Sequence, residues 1–316
     1  MPRAEPRQHH RLPTFYLAGF TPSGREDGQL FVFDFVRRKT WRARPNKVAK
    51  LRDYYRVEVE GVDPNFAERL HHSFETRIAP ILKRIRDTHT LPAGVELAYL
   101  IQFVALLDVR GENARERYRT AWLKTARDML MSFLHDPEAF RACAEWLTNG
   151  QATIAEAPSA EAIEQFLVEH RELFAVSPSD AVRGTHRMVG EVTLSAFLER
   201  NWVLIEGGLS HGGFICSDEP VVVAPTDPGA LLERVWKIAD RHTDLTVPLD
   251  SDCALLGRYE GLDPIPNVTA KEVAAVNTRT FANDKHMVYS ARHDFLILGP
   301  DGAPTNGVEL FNRGLL

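Results

Sequence analysis

Residues 96–110 read Glu96-Leu97-Ala98-Tyr99-Leu100-Ile101-Gln102-Phe103-Val104-Ala105-Leu106-Leu107-Asp108-Val109-Arg110. Between Leu97 and Leu107 only Gln102 is polar, and no Gly or Pro breaks the run. A helix that is apolar all round has no face to give to water, so other elements must wrap it. It is too short to cross a bilayer, which takes about 20 apolar residues. The stretch therefore predicts a central core helix that ends where the chain reaches Gly111.

Working outward, the apolar period is helical on both sides. Phe66, Leu70, Phe74, Ile78, Ile81, Leu82 and Ile85 fall on one helical stripe, with Pro80 expected to kink or divide it. Further helices are expected over 113–135, 137–148 and 160–174. Toward the ends the period shortens to two. Residues 29–34, 41–48 and 54–59 read as extended segments, and Pro13 suits the start of a short helix over 14–20. Beyond Pro178 the expectations are a helix at 184–199 and a hairpin of 202–206 with 214–216 across the glycines 207–213. A helix at 229–242, strands at 245–249 and 254–258, a helix at 269–283 and a strand pair at 286–290 and 295–298 follow. The fold class is α+β: a mostly helical centre with a mixed or antiparallel sheet assembled from the N- and C-terminal segments. One domain is expected over 9–310, with segments 1–60, 64–175 and 180–300.

The 316 residues are 44% hydrophobic and 26% charged, ordinary globular values that permit a large core. The net charge of -5 gives no global basic field for nucleic acid. Any such partner would have to use the Arg37-Arg38-Lys39 turn or the Arg77, Lys83, Arg84, Arg86 helix face. Cys143, Cys216 and Cys253 are odd in number and lack a CxxC spacing, which fits reduced thiols in a cytoplasmic protein. No apolar leader is evident at the start, and no membrane partner is expected.

Few residues stand out as chemistry. His9-His10 beside a Pro-initiated helix could supply a metal ligand or a general base, although a tandem His at an exposed end is commonly just solvated. Ser217-Asp218-Glu219-Pro220 leaves a strand at a turn, so Asp218 could be aimed into a cleft; an Asx turn is the plain alternative. Arg110 could clamp an anion or cap its own helix. His71-His72 with Arg69 falls on the polar stripe of its helix and reads as a solvated face. The glycines at 207–208 and 212–213 lack the residues of a phosphate loop or a dinucleotide fold, and no zinc, EF-hand or nucleophile-elbow pattern is present.

The opening His9-His10-Arg11-Leu12-Pro13-Thr14-Phe15-Tyr16-Leu17-Ala18-Gly19-Phe20 resembles the HHxxPxxYLxxF start of a bacterial family, domain of unknown function 4238. The likeness extends through the strand at 30–34, Lys47-Val48-Ala49, Asp53-Tyr54-Tyr55, and Glu68 with Glu75 on the next helix. It continues through the apolar helix closed by Arg110, the Ser217-Asp218-Glu219-Pro220-Val221 turn, Val247-Pro248-Leu249, and Asn277 with Tyr289-Ser290. The family often carries a Gln before the Arg and Thr-Pro after it; here Leu107 precedes and Gly111-Glu112 follow. The resemblance implies that His10, Arg110, Asp218 and Asn277 are marked positions.

Two functions are then expected to compete. In a hydrolase or nuclease-like enzyme, His10 would be the base or a ligand, Asp218 its carboxylate partner and Asn277 a substrate or oxyanion donor. His9, Arg110 and Ser217 would bind the substrate, a small molecule or nucleic acid. In a non-catalytic module for a ligand or a protein, the same residues form a structural clasp. No pattern specifies a cofactor, a metal or an oligomeric state.

Overall fold

A computed structural model describes residues 8–150, 159–188, 193–227, 238–263, 265, 267–284 and 286–314. Its centre is the helix α3 (Gly94–Val109), preceded by α1 (Thr14–Ala18) and the long α2 (Phe66–Thr88), and followed by α4 (Glu112–Met131). From Leu100 onward α3 is buried on almost every side; its first turn is only half covered, and Val95 is exposed. The core cluster around it draws Leu12, Tyr16, Leu17 and Phe20 from the α1 region and Ile78, Ile81, Leu82 and Ile85 from α2. Phe103 lies at the heart of this packing, with Phe15 and Tyr16 ring centroids 5.8 and 5.7 Å away.

Two four-stranded antiparallel sheets close over that cluster. The first has the order β3 (Lys39–Ala43), β2 (Leu30–Asp34), β10 (Met287–Ser290), β6 (Cys216–Ser217). It therefore joins segments from the two ends of the chain, and the α+β class read from the sequence holds. The second runs β5 (Asn201–Glu206), β9 (Cys253–Arg258), β8 (Thr243–Pro248), β7 (Val222–Pro225). Each sheet is covered on both faces. In the second, Leu204, Leu245, Val247 and Leu255 join the α3 cluster, while Val203, Ile205, Ala254 and Leu256 pack with Val273 and Val276 of α9 (Ala270–Asn283). In the first, Leu30, Val32 and Tyr289 join the α3 cluster, while Phe33 and Val288 pack with α10 (Gly307–Arg313). Two small ribbons complete the strands: β1 (Gln8–His10) with β4 (Lys50–Arg52), and β11 (Leu296–Leu298) with β12 (Pro304–Asn306). The helices α5 (Pro137–Leu147) and α6 (Ala160–Glu169) pack against α4 in a separate apolar cluster, and α7 (Pro178–Met188) and α8 (Leu194–Leu198) lead back to the sheet.

Several elements differ from the sequence reading. Pro80 sits inside α2 without dividing it. Residues 54–59 form no strand. The pair 202–206 and 214–216 is not a hairpin: β5 lies against β9, and β6 against β10. A buried strand reads the same whichever neighbour it takes, so the apolar run carried no pairing information. The segments 286–290 and 295–298 likewise pair elsewhere, with β2 and β6 and with β12. The helix expected at 184–199 corresponds to α7 and α8, with residues 189–192 outside the described residues, as are most of the helix expected at 229–242 and residues 1–7. Among the described residues no helix is long and apolar enough to cross a membrane.

Because Phe103 fills the space between α1 and α3, Phe103→Ala should lower unfolding free energy by about 3–5 kcal/mol in a denaturant titration.

Candidate functional site

The first two turns of α2 do not follow the apolar stripe seen further along. Leu70 is 49% exposed, whereas His71 on the other side of the same turn is 2% exposed. The helix thus presents Glu68, His71, His72 and Glu75, spaced as neighbours on one helical face, toward the N-terminal segment. There His10, at the end of β1, meets them across a cavity of about 290 Å³ whose lining also includes Glu26 and the stretch Pro13, Thr14, Phe15.

Hydrogen bonds fix the state of the imidazoles. The Nδ1–H of His186 donates to the Val182 carbonyl (2.7 Å), so in the neutral ring Nε2 is an acceptor. His71 Nε2, 2.8 Å away, must then be the donor. Burial holds both rings neutral, pushing His186 down to about 4 and His71 well below its usual value. This leaves His71 Nδ1 with a lone pair and, among the described residues, no hydrogen-bond partner. His10 is also neutral, lowered to about 4 by burial and then by Lys50 and Arg110, and its Nδ1 likewise lacks a partner. Glu68 is shifted the other way: burial raises its carboxyl pKa, Arg110 opposes that and Glu75 adds to it. Arg110, 2% exposed at the end of α3, donates from Nη2 to Glu75 Oε1 (2.7 Å).

His9 lies behind this face. Its Nδ1 accepts the Tyr55 backbone N–H at 2.7 Å, and its ring stacks on Tyr55 at 5.8 Å. Tyr55 in turn sets its ring edge-on to His71 at 4.8 Å. Of the six residues proposed from the sequence, His9, His10 and Arg110 are therefore gathered in one neighbourhood, and His10 alone lines the cavity.

The other three have different company. Asp218 is ion-paired with Arg11, accepts the Tyr289 hydroxyl at 2.6 Å, and donates its backbone N–H to Asp284 Oδ2 at 3.0 Å. It reaches the His10 strand through Arg11, the next residue. Ser217 Oγ accepts the Glu219 N–H at 3.2 Å and so closes the turn. Asn277 is fully buried on α9. Its Oδ1 accepts the Ile215 N–H (3.0 Å), and its Nδ2 donates to the carbonyls of Gly213 (3.0 Å) and Leu296 (2.9 Å). Glu219, between them, is inserted at the N-terminus of α4, where its Oε1 accepts the N–H groups of Glu112 (2.5 Å) and Asn113 (3.3 Å). Gly111 makes that approach possible, since a Cβ there would stand 1.7 Å from Glu219 Oε2.

In the sequence Glu68 and Glu75 stand out only as part of the family likeness, and His71 and His72 only as a solvated face; none of the four reads there as a site residue. Their spacing on one helical face was readable; the assumption that a polar face meets water holds for the exposed His72 but hid the buried His71.

Residues 8–294 match a family described as a protein of unknown function, DUF4238, and the chain belongs to that family. No curated protein and no solved structure gives a significant match to it.

Burial raises the Glu219 pKa from 4.5 to about 7, against the pull of the Asn113 N–H and Arg11. Between those two values the folded chain holds a proton that the unfolded chain has released, so this group's contribution to stability is present at low pH and declines as pH rises through the window. Chemical denaturation across it should show that decline, roughly 3 kcal/mol at most for the group, and Glu219→Gln should flatten it. Asp218→Asn, which leaves Arg11 without its charge partner, should cost about 3–5 kcal/mol.

Proposed function

We propose that the cavity beside His10 is the reaction site of a hydrolase acting on a small substrate. The observation that carries this reading is a set of unspent polar atoms around one opening: His10 Nδ1 and His71 Nδ1 have no partner among the described residues, beside the carboxyl groups of Glu68 and Glu75. Buried polar atoms are ordinarily satisfied, and a group of exceptions at a cavity fits a ligand that completes them.

In this reading His10, neutral above about pH 4, takes a proton from the attacking water. Glu68, kept protonated to higher pH by burial, gives one to the leaving group. Two groups whose surroundings push their pKa values in opposite directions suit an acid and a base. Arg110 holds Glu75 in place, and Tyr55 and His186 fix the orientation of His71. Asp218 and Asn277 serve as positioning residues: Asp218 anchors Arg11 and so the His10 strand, and Asn277 ties α9 to the two neighbouring segments. The lining carries Glu26, Glu68 and Glu75, while Arg110 lies behind it with Nη2 on Glu75 and, among the described residues, no partner for Nε or Nη1. Three carboxyl groups and no Lys or Arg in the lining itself favour a neutral or amine-bearing substrate over the polyanion a nuclease would admit.

A screen of small esters, amides and phosphomonoesters tests the reading. His10→Ala and Glu68→Gln should each lower kcat/KM by roughly 10²–10⁴-fold with the fold intact by circular dichroism. The pH profile should rise through about 4 as His10 loses its proton and fall where Glu68, raised by burial, loses its own. A ligand that binds with the same dependence on His10 and Glu68 but is never turned over would assign the cavity to a binding module instead.

A further inference from the structure

At the far end of α2 from the cavity, three different elements bring metal-ligating side chains together. His89 terminates the helix, its backbone left-handed (φ 49°, ψ 40°) and its N–H returned to the Ile85 carbonyl at 2.8 Å. Asp252 and Cys253 stand at the start of β9. One ligand atom from each of His89, Asp252 and Cys253 lies within 4.8 Å of the other two, the only such group of three among the described residues. Glu206, at the end of β5, is the cross-strand partner of Cys253.

The orientation of these groups is specific. His89 Nε2 faces Asp252 Oδ2 at 3.5 Å, while Nδ1 faces Glu206 Oε2 at 3.8 Å. One ring nitrogen is thus turned to Asp252, the neighbour of Cys253, and the other has a carboxylate behind it. A histidine that ligates a metal commonly gives the hydrogen of its second nitrogen to a carboxylate, and Glu206 stands where a small shift would make that bond. Asp252 is itself fixed, because its other oxygen, Oδ1, accepts the Leu209 N–H at 2.8 Å. Cys253 is fully buried, whereas His89 is 42% exposed. The sulfur therefore forms the floor of the group, and the imidazole the rim toward solvent.

We propose that His89, Asp252 and Cys253 bind a thiolate-preferring divalent cation of the Zn²⁺ class, with Glu206 orienting His89 from behind. One imidazole, one carboxylate and one thiolate make a mixed N, O, S set of the kind that Zn²⁺ accepts, with water in the remaining position. Bonds of about 2.0–2.3 Å require the three atoms to close in slightly, which rotation of the exposed His89 ring supplies. As the sulfur–metal bond forms, the Cys253 thiol releases its proton to solvent. The cation would fasten the end of α2 to the β5–β9 ladder. Neither His10 nor any other residue of the cavity takes part, so the proposal stands apart from the hydrolase reading.

Titration of the full-length protein with Co²⁺ is the direct test. One equivalent should bind and produce the near-ultraviolet charge-transfer absorption of a cobalt–thiolate bond, and Zn²⁺ should displace it. Zn²⁺ in hundredfold excess over its Kd should also raise Tm by roughly 5 °C. His89→Gln and Cys253→Ser should each abolish the band, while His71→Ala in the cavity should leave it in place. Cys253 is buried and its variant could fail to fold; His89 is at the surface, and its variant decides the matter alone. Absence of the band in the wild type, or its persistence in His89→Gln, overturns the proposal.

Discussion

A helix with no polar face sets the terms for this structure. α3 cannot be half-immersed, so the chain must supply cover in every direction, and no single neighbour is wide enough to do it. α1 and α2 take part of the circumference, and one face of each four-stranded sheet joins the same cluster. Both sheets then need cover on their outer faces, which α9 and α10 provide. The layered order of the molecule follows from burying one helix of 16 residues.

The same requirement shapes the cavity. α2 has to pack its second half against α3, and Ile78, Ile81, Leu82 and Ile85 accomplish that. Its first half runs past the α3 cluster and meets the N-terminal segment instead, with His71 rather than Leu70 turned inward. Burying imidazoles there is tolerable only if they stay uncharged. The His71–His186 pair achieves this by passing one hydrogen between two nitrogens, with the Val182 carbonyl fixing its direction. Burial is the main reason His10 and His71 stay unprotonated, and Arg110 at the α3 terminus adds to it at both rings, after Lys50 in the case of His10.

The helices and the union of the two chain ends in one sheet were legible because hydrophobic period reports burial directly. Strand partners were not. Val203, Leu204 and Ile205 alternate between two apolar clusters, so nothing in them distinguishes β9 from a hairpin mate. The candidate site was legible in part. His10 stood out through its neighbours His9 and Pro13, and Arg110 through its place after an apolar run. Glu68, His71, His72 and Glu75 were visible as a helical face, but the direction in which that face points depends on where α2 overshoots α3, a tertiary fact. Asp218 and Asn277 are marked by the family pattern, and in the structure both spend their hydrogen-bonding atoms on tying segments together.

The position of β10 has a consequence for how the chain comes to be folded. It lies between β2 and β6, matching Val288 to Phe33 on one side and to Ser217 on the other. Until that late strand emerges from the ribosome, β2 and β3 can form only a hairpin with a bare edge, the kind of surface that invites pairing with other chains. Tyr289 on the same strand donates to Asp218, which holds Arg11 beside His10. Joining segments so far apart in sequence is entropically slow. A nascent chain therefore carries the N-terminal half of its cavity without the contact that secures it until β10 has emerged.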